Sequence, residues 1–457
     1  MKIIKKLLCL VLAVVTSLGA LTFVACGDSN KVEEKDYVSQ LKLDFSSDTL
    51  KQEVTVKIYV DGDTTHFYPK QNSTVTGYYP FTETAGLIKA RYLAINTPES
   101  TGKIEEWGYA AKEFTNNKLK NAKSIVIESD NNEWNIDSTG SRYLLWIWYM
   151  PQDGTEYRNL NIEILQNGFA WASATSSNRY GEIAVAALEQ SQALKLHIYS
   201  GKKDPDFYYG EAVKLTLIEL RCHIEDYVGI KVSFEGVVTC EYTQTVYVEE
   251  YDVDLDAYFG MPIYYGYGAS ADITNALTIG NRVRIVGTVS YNDTRGTYQV
   301  SGLSYRALKP NDPNNTIKIS DGHEAAYKEI DGDVFANGTL KVPFDKKDGS
   351  GEIEYVEIPY LEAALGSTVS MNNLTVKSVY TTTSDDSSSK GAMTLTCKTA
   401  NGATISIRTA VLYDENNQLV TADKYKGKKI NVRGLVDKYE NKYQIYCYRV
   451  DQIDIVG

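Results

Sequence analysis

The sequence predicts an α+β chain in which one mixed unit of strands and helices is followed by two mostly-β modules built on a shared pattern. Three observations predict this. Short runs alternate apolar and polar residues, as in Val232, Phe234, Gly236, Val238 and Cys240 against Lys231, Ser233, Glu235 and Thr239, the two-residue period of a half-buried strand. The stretch YGEIAVAALEQSQALKLH at 180 to 197 is rich in Ala, Leu, Glu and Gln and reads as helix. Two segments, IGNRVRIVGTVSYNDTRGTYQVSG at 279 to 302 and YKGKKINVRGLVDKYENKYQIYCY at 425 to 448, share a spaced glycine pair (Gly280 and Gly287; Gly427 and Gly434), a hairpin and a Tyr-Gln pair (Tyr298-Gln299; Tyr443-Gln444). Two copies of one pattern mean two similar modules. With 457 residues and 43% hydrophobic content the chain has material for about three domains.

At the N-terminus, Lys2, Lys5 and Lys6 precede an apolar run from Leu7 to Ala25 that ends in FVAC, a signal peptide followed by a small residue and cysteine. It resembles a bacterial lipoprotein signal. That resemblance implies removal of residues 1–25, a lipid on Cys26 and a polar tether over 26–50. The chain would then be lipid-anchored in the cell envelope, on the extracytoplasmic side of a bacterial membrane. The alternative is an uncleaved transmembrane anchor, against which Thr16, Ser17 and Gly19 inside the run, and the cysteine at its end, favour lipid. Either arrangement puts the body outside the cytoplasm.

The next stretch, 51–210, carries the chemistry. VDGDT at 60 to 64, ARYLAINTPES at 90 to 100 and STGSRYL at 138 to 144 bring together oxygen ligands for a divalent cation, a free carboxylate and two guanidiniums. Phosphodiester cleavage needs these types for separate reasons: a water must become nucleophilic while negative charge builds on the phosphoryl oxygens. A hard cation answers the first need and Arg the second. Asp63 would ligate the metal, with the Asn96 side-chain oxygen and the Thr97 carbonyl completing the protein's share, and Glu99 would face the water. Arg91 and Arg142 can each grip phosphate oxygens through a planar fork that Lys does not offer. His66, on the strand after Asp63, reads as a plain strand histidine.

These motifs resemble the staphylococcal nuclease family, the thermonucleases, over roughly residues 52 to 210. The resemblance extends through IEEWGYAAKEF at 104 to 114, KNAKSIVIESD at 120 to 130 and NLNIEILQNGFAWA at 159 to 172. It implies an OB-type barrel with three helices, Ca2+ as cofactor, and hydrolysis of DNA or RNA at the 5′ side of the phosphate. By residue it implies Asp63 as metal ligand, Thr97 as the ligand offering its carbonyl, Arg91 and Arg142 as the two arginines, Glu99 as the catalytic glutamate, and Asp61 as the acid behind the ligands. Two positions depart from the family. Asn96 stands where its best-known members have a second metal-binding Asp, which keeps an oxygen but removes a charge and implies weaker calcium binding. Thr139-Gly140-Ser141 replaces the Lys-Tyr pair before the second arginine, and no base-stacking residue is mapped, so preference between DNA and RNA stays open.

Charge constrains the partners. The formal net charge is −12, and removing a signal that holds three Lys leaves 44 basic against 59 acidic residues, or −15. Net charge of this sign works against tight binding of a polyanion by the whole surface, so recognition must be local. Nothing points to a protein partner. Apart from Cys9 and Cys26 there remain Cys222, Cys240, Cys397 and Cys447, whose spacing matches no zinc motif and which read as buried thiols at least as readily as disulfides.

Past residue 210, EAVKLTLIELRCHIEDY at 211 to 227 places Val213, Leu217, Leu220 and Ile224 on one helical face and reads as a connecting helix into a module ending near 309. KPNDPNN at 309 to 315 opens a linker running to 330, and the second module spans 331–457, with TTTSDDSSSKG at 381 to 391 as a polar loop tip. Short strands, a Gly at the sharp bend and a late hairpin resemble OB-type barrels, which often bind single strands by stacking bases on aromatics. With Val283, Ile285, Gly287 and Val289 facing inward, Arg282 and Arg284 fall on the outer face near Tyr291, Arg295 and Tyr298, and Arg282, Arg284 and Tyr298 are candidate nucleic-acid contacts. The competing readings are a non-catalytic surface binding protein whose Asn96 has cost it the metal, and barrels that serve adhesion.

Overall fold

Fifteen principal strands close into three five-stranded barrels of one topology. The computed structural model describes residues 33–70, 73, 86–173, 176–293, 295–345, 350–384, 387 and 389–456. The signal segment, Cys26 and part of the 381–391 stretch lie outside them. No helix among the described residues is long and apolar enough to cross a membrane.

Barrel 1 contains β1 (Lys51–Tyr59), β2 (Thr64–Pro69), β3 (Ile88–Tyr92), β4 (Ala122–Glu128) and β5 (Tyr143–Pro151). β1 pairs antiparallel with β2 and β4, β2 with β3, and β4 with β5, and the ring closes where β3 runs parallel to β5. Barrel 2 repeats this with β6 (Lys231–Tyr242), β7 (Thr245–Asp252), β8 (Ala257–Tyr264), β9 (Arg282–Asn292) and β10 (Thr297–Ser301), and its ring closes where Ile263 of β8 pairs in parallel with Val300 of β10. Barrel 3 repeats it again with β11 (Thr368–Thr381), β12 (Met393–Lys398), β13 (Thr404–Thr409), β14 (Lys429–Tyr439) and β15 (Lys442–Cys447). This is the α+β, OB-like architecture with several barrel modules that the sequence predicts.

The sequence repeat has a structural reason. A Cβ on Gly287 of β9 would stand 2.7 Å from the Ser301 carbonyl oxygen, and one on Gly434 of β14 would stand 2.6 Å from that of Tyr446. In both barrels the fourth strand passes so close to the fifth that only glycine fits.

Barrel 1 carries three helices, α1 (Gly108–Lys120), α2 (Leu160–Gln166) and α3 (Gly181–Ala193). α2 starts at Asn159, whose side chain caps it by accepting from the Ile162 N–H at 3.1 Å. Buried Asn161 donates to the carbonyls of Leu93 (2.9 Å) and Leu145 (3.1 Å) and accepts from the Ile147 N–H (2.9 Å), tying the exit of β3 to β5. Three segments differ from their sequence reading. Residues 36–50 are not a free tether: Val38 is buried in the barrel 1 core, with Tyr37, Leu41 and Leu43 packed beside it. Residues 211–227 form a strand at Val213–Lys214, the helix α4 (Leu217–Cys222) and a 3-10 turn, because Val213 pairs with Val232 and Thr216 with Glu219 forms a capping box that starts the helix late. KPNDPNN folds back on barrel 2, where the buried Asn315 side chain satisfies backbone groups of Arg306 and Lys309. The four remaining cysteines are free thiols; Cys240, Cys397 and Cys447 are buried and Cys222 is partly so.

Candidate functional site

β2, β3 and β5 lie side by side, and this adjacency assembles the site. Thr64 pairs with Arg91, and Arg91 with Leu144, so the turn before β2, the middle of β3 and the start of β5 meet at one end of barrel 1. The turn at 60–64 is fixed from behind by α1, since the Thr115 hydroxyl donates to the Gly62 carbonyl at 2.7 Å. Its own acids order it further: the Asp63 N–H donates to Asp61 Oδ1 at 3.2 Å, and the Thr64 hydroxyl to Asp63 Oδ1 at 3.0 Å.

Asp63 is 1% exposed and sits at the centre. Its Oδ1 is ion-paired with Arg91 Nη1, and its Oδ2 accepts from the Thr97 N–H at 2.8 Å. Arg91 Nη2 donates to Asn96 Oδ1 at 2.6 Å. Asp63, Arg91, Asn96 and Thr97 are thus one hydrogen-bonded cluster. Burial pushes the Asp61 carboxyl above the usual carboxylate range, only partly offset by Arg91, and the same burial pulls the Arg91 guanidinium below the usual arginine range.

Glu99 stands at the rim, exposed to solvent yet near enough to the protein that partial desolvation, then the charge of Asp61, holds its carboxyl above the ordinary value. Its backbone is fixed: the Glu99 N–H donates to Glu105 Oε2 at 3.1 Å, and the Glu105 N–H returns to the Glu99 carbonyl at 2.9 Å. Arg142 lies one residue before β5 and pairs through Nε with Asp137 Oδ2 at 2.7 Å. Tyr143, next to Arg142, pairs with Ala90, next to Arg91, so both guanidiniums stand at the same end of the barrel. Asp61, Asp63, Arg91, Asn96, Thr97, Glu99 and Arg142 therefore converge.

The donor set fits one hard cation. The Asp63 carboxylate, the Asn96 amide oxygen and the Thr97 carbonyl are all oxygens of the kind Ca2+ accepts, with a single formal charge among them. Among the described residues no three His, Cys, Asp or Glu converge as a ready metal cluster, so any affinity depends on the neutral oxygens. Arg91 occupies Asp63 Oδ1 and Asn96 Oδ1, while Asp63 Oδ2 accepts from the Thr97 N–H.

The barrel 2 candidates behave differently. Arg282 is paired with Glu235 (3.2 Å) and Glu250 (2.8 Å), and Arg284 donates to the carbonyls of Asp312 (2.9 Å) and Asn315 (3.0 Å). Tyr298 packs edge-on against Tyr291 with ring centroids 5.0 Å apart. None of the three joins the barrel 1 cluster, and both arginines already have partners.

Sequence reasoning missed several residues that shape the site. Trp171, 42% exposed, pairs with Asn96 across a two-residue ladder. Gly108 opens α1 where a Cβ would stand 2.2 Å from the Glu99 carbonyl oxygen. Asp137 holds Arg142, and an acid a few residues before the arginine was visible in the sequence. Trp171 had no such signal.

Residues 89–200 match the family described as staphylococcal nuclease homologue, a stretch that holds Arg91, Asn96, Thr97, Glu99 and Arg142 but not Asp61 or Asp63. An uncharacterized protein of Methanocaldococcus jannaschii is 33% identical over 125 residues, covering 23% of this chain and 58% of that protein.

Proposed function

We propose that this chain is a calcium-dependent nuclease, lipid-anchored on the extracytoplasmic side of a bacterial membrane, that hydrolyses phosphodiester bonds of DNA or RNA. The observation that carries the reading is the single cluster of Asp63, Arg91, Asn96 and Thr97, with Glu99 and Arg142 at its rim, inside a region similar to the staphylococcal nuclease family. Asp63, Asn96 and the Thr97 carbonyl would hold the cation, whose positive charge would neutralise phosphate and polarise water. Glu99, with its raised affinity for protons, would take one from that water. Arg142 and Arg91 bind the phosphoryl oxygens as charge develops there; for Arg91 this requires release from Asp63 and Asn96.

The substrate is a nucleic acid strand recognised locally, because a chain of net charge −12 does not attract polyanions over its whole surface. One observation favours a non-catalytic surface binder instead: Asn96 leaves Asp63 as the sole charged donor. Hydrolysis of labelled DNA and RNA by purified residues 27–457, with Ca2+ and with chelator, separates the two. Calcium-dependent cleavage supports the enzyme; intact substrate in both conditions refutes it. For the anchor, Cys26→Ser should abolish lipid labelling in cells, and unchanged labelling would sink the lipoprotein reading.

A further inference from the structure

The loop that carries Glu99 has a second wall. On its inner side it is closed by Glu105 and by the start of α1 at Gly108. On its outer side stands barrel 2. Just after β8, Gly266 meets Gly102, so that a Cβ on Gly266 would stand 3.1 Å from the Gly102 Cα. Just after β10, Gly302 meets Ile104, so that a Cβ there would stand 3.0 Å from Ile104 Cγ1. Tyr264, the last residue of β8, sets its ring against this contact, a Cβ on Gly266 standing 3.6 Å from Tyr264 Cε1. Beside these contacts runs a cleft of about 470 Å3, lined by Ser100, Thr101 and Tyr109 on one flank and Lys231, Ser290 and Tyr291 on the other. At Gly266 and Gly102 backbone meets backbone with no side chain to yield, and at Gly302 the Ile104 side chain packs directly on backbone, so the two contacts set the position of the loop closely.

We propose that barrel 2 is a positioning element of the hydrolytic site, clamping residues 99–104 through Gly266 and Gly302 and so fixing Glu99 against the Asp63 cluster. The proposal rests on the nuclease reading above and extends it, since the clamp comes from beyond residue 200, where the family match ends. A reacting carboxylate displaced by about 1 Å can lose on the order of a hundredfold in rate. The clamp therefore governs turnover on every substrate, whereas a barrel that only bound strands would govern KM on long ones.

The test uses the mature full-length chain carrying Ile104→Ala, Ile104→Val or Tyr264→Ala, assayed with Ca2+ on a dinucleotide-sized substrate and on a long single strand, with amide hydrogen exchange followed over residues 99–104. Ile104→Ala and Tyr264→Ala should speed exchange in that loop and lower kcat on both substrates by roughly tenfold or more. KM should hold within about twofold, and Ile104→Val should restore most of the rate. Faster exchange with unchanged kcat overturns the positioning role, as does a rise in long-strand KM alone. Should the wild type prove inactive, the nuclease reading falls, and the exchange data still decide the clamp: unchanged exchange in both truncations overturns it.

Discussion

Arg91 is ion-paired with Asp63 at one end of barrel 1, and its other Nη reaches Asn96 Oδ1 at 2.6 Å. The oxygens best suited to a cation are thus held by a guanidinium, and binding of one requires the other to move. If this site holds calcium as proposed, its affinity would be a competition with Arg91 in which the number of carboxylates matters.

Asn96→Asp adds the missing charge to that competition. The variant should reach half-maximal activity at a lower calcium concentration with its fold unchanged, because a second carboxylate strengthens binding of a hard cation. A calcium titration of hydrolysis by both proteins checks this. A wild type that saturates at lower calcium than the variant would contradict the assignment of Asn96 as a ligand.

Gly108→Ala addresses the backbone under Glu99. A new Cβ would stand 2.2 Å from the Glu99 carbonyl oxygen and 2.7 Å from its carbon, and neither neighbour is a flexible side-chain end. The helix start or the loop must shift, at a cost of about 1–3 kcal/mol for an overpacked contact. Turnover should fall by about ten- to a hundredfold as Glu99 is displaced. Melting curves and kcat on a short substrate measure the two effects, and full turnover despite the lowered melting point would remove Glu99 from the chemistry.

Much of this was legible in the sequence, and the remainder was not for identifiable reasons. Asp63, Arg91 and Arg142 could be picked out because each lies in a compact motif and the motifs come in order. Gly287 and Gly434 could be paired because a close strand approach forces glycine at one register in both barrels. Trp171 beside Asn96 and the barrel 2 contacts at Gly266 and Gly302 are long-range, and no local pattern encodes them. The outer-face placement of Arg282 was correct, but strand alternation does not say that Glu235 on the adjacent β6 and Glu250 on β7, one strand further on, pair with it. The late start of α4 was within reach, since Thr216 and Glu219 spell a capping box that the apolar periodicity masked.

Arg142→Ala separates chemistry from stability. The Arg142–Asp137 pair at 2.7 Å is partly open to water, the guanidinium being 32% exposed, and such a pair contributes about 0–1 kcal/mol to folding. Its proposed role in stabilising transition-state charge would be worth more, a few kcal/mol. Turnover should therefore drop by about two orders of magnitude or more while the melting temperature barely moves. Arg142→Lys should recover little of the rate, lacking the planar fork. An Arg142→Ala protein of normal turnover would remove the proposed mechanism.

His66 supplies a pH signature that involves no ligand residue. Desolvation first, then the charges of Lys89 and Arg142, pull its imidazole from 6.5 down to about 4, and its Nδ1 has no hydrogen-bond partner in the described structure. The folded state therefore keeps His66 neutral where the unfolded chain would protonate it. Because the folded value lies below the unfolded one, the unfolded state binds more protons between pH 4 and 6.5, and stability is lost as pH falls through that window. The loss is at most on the order of 3 kcal/mol and levels off below pH about 4. Urea unfolding of wild type and His66→Gln from pH 7 to pH 4 measures it: the variant should show a shallower decline across that window, and parallel curves for the two proteins would mean that His66 is protonated in the folded state after all.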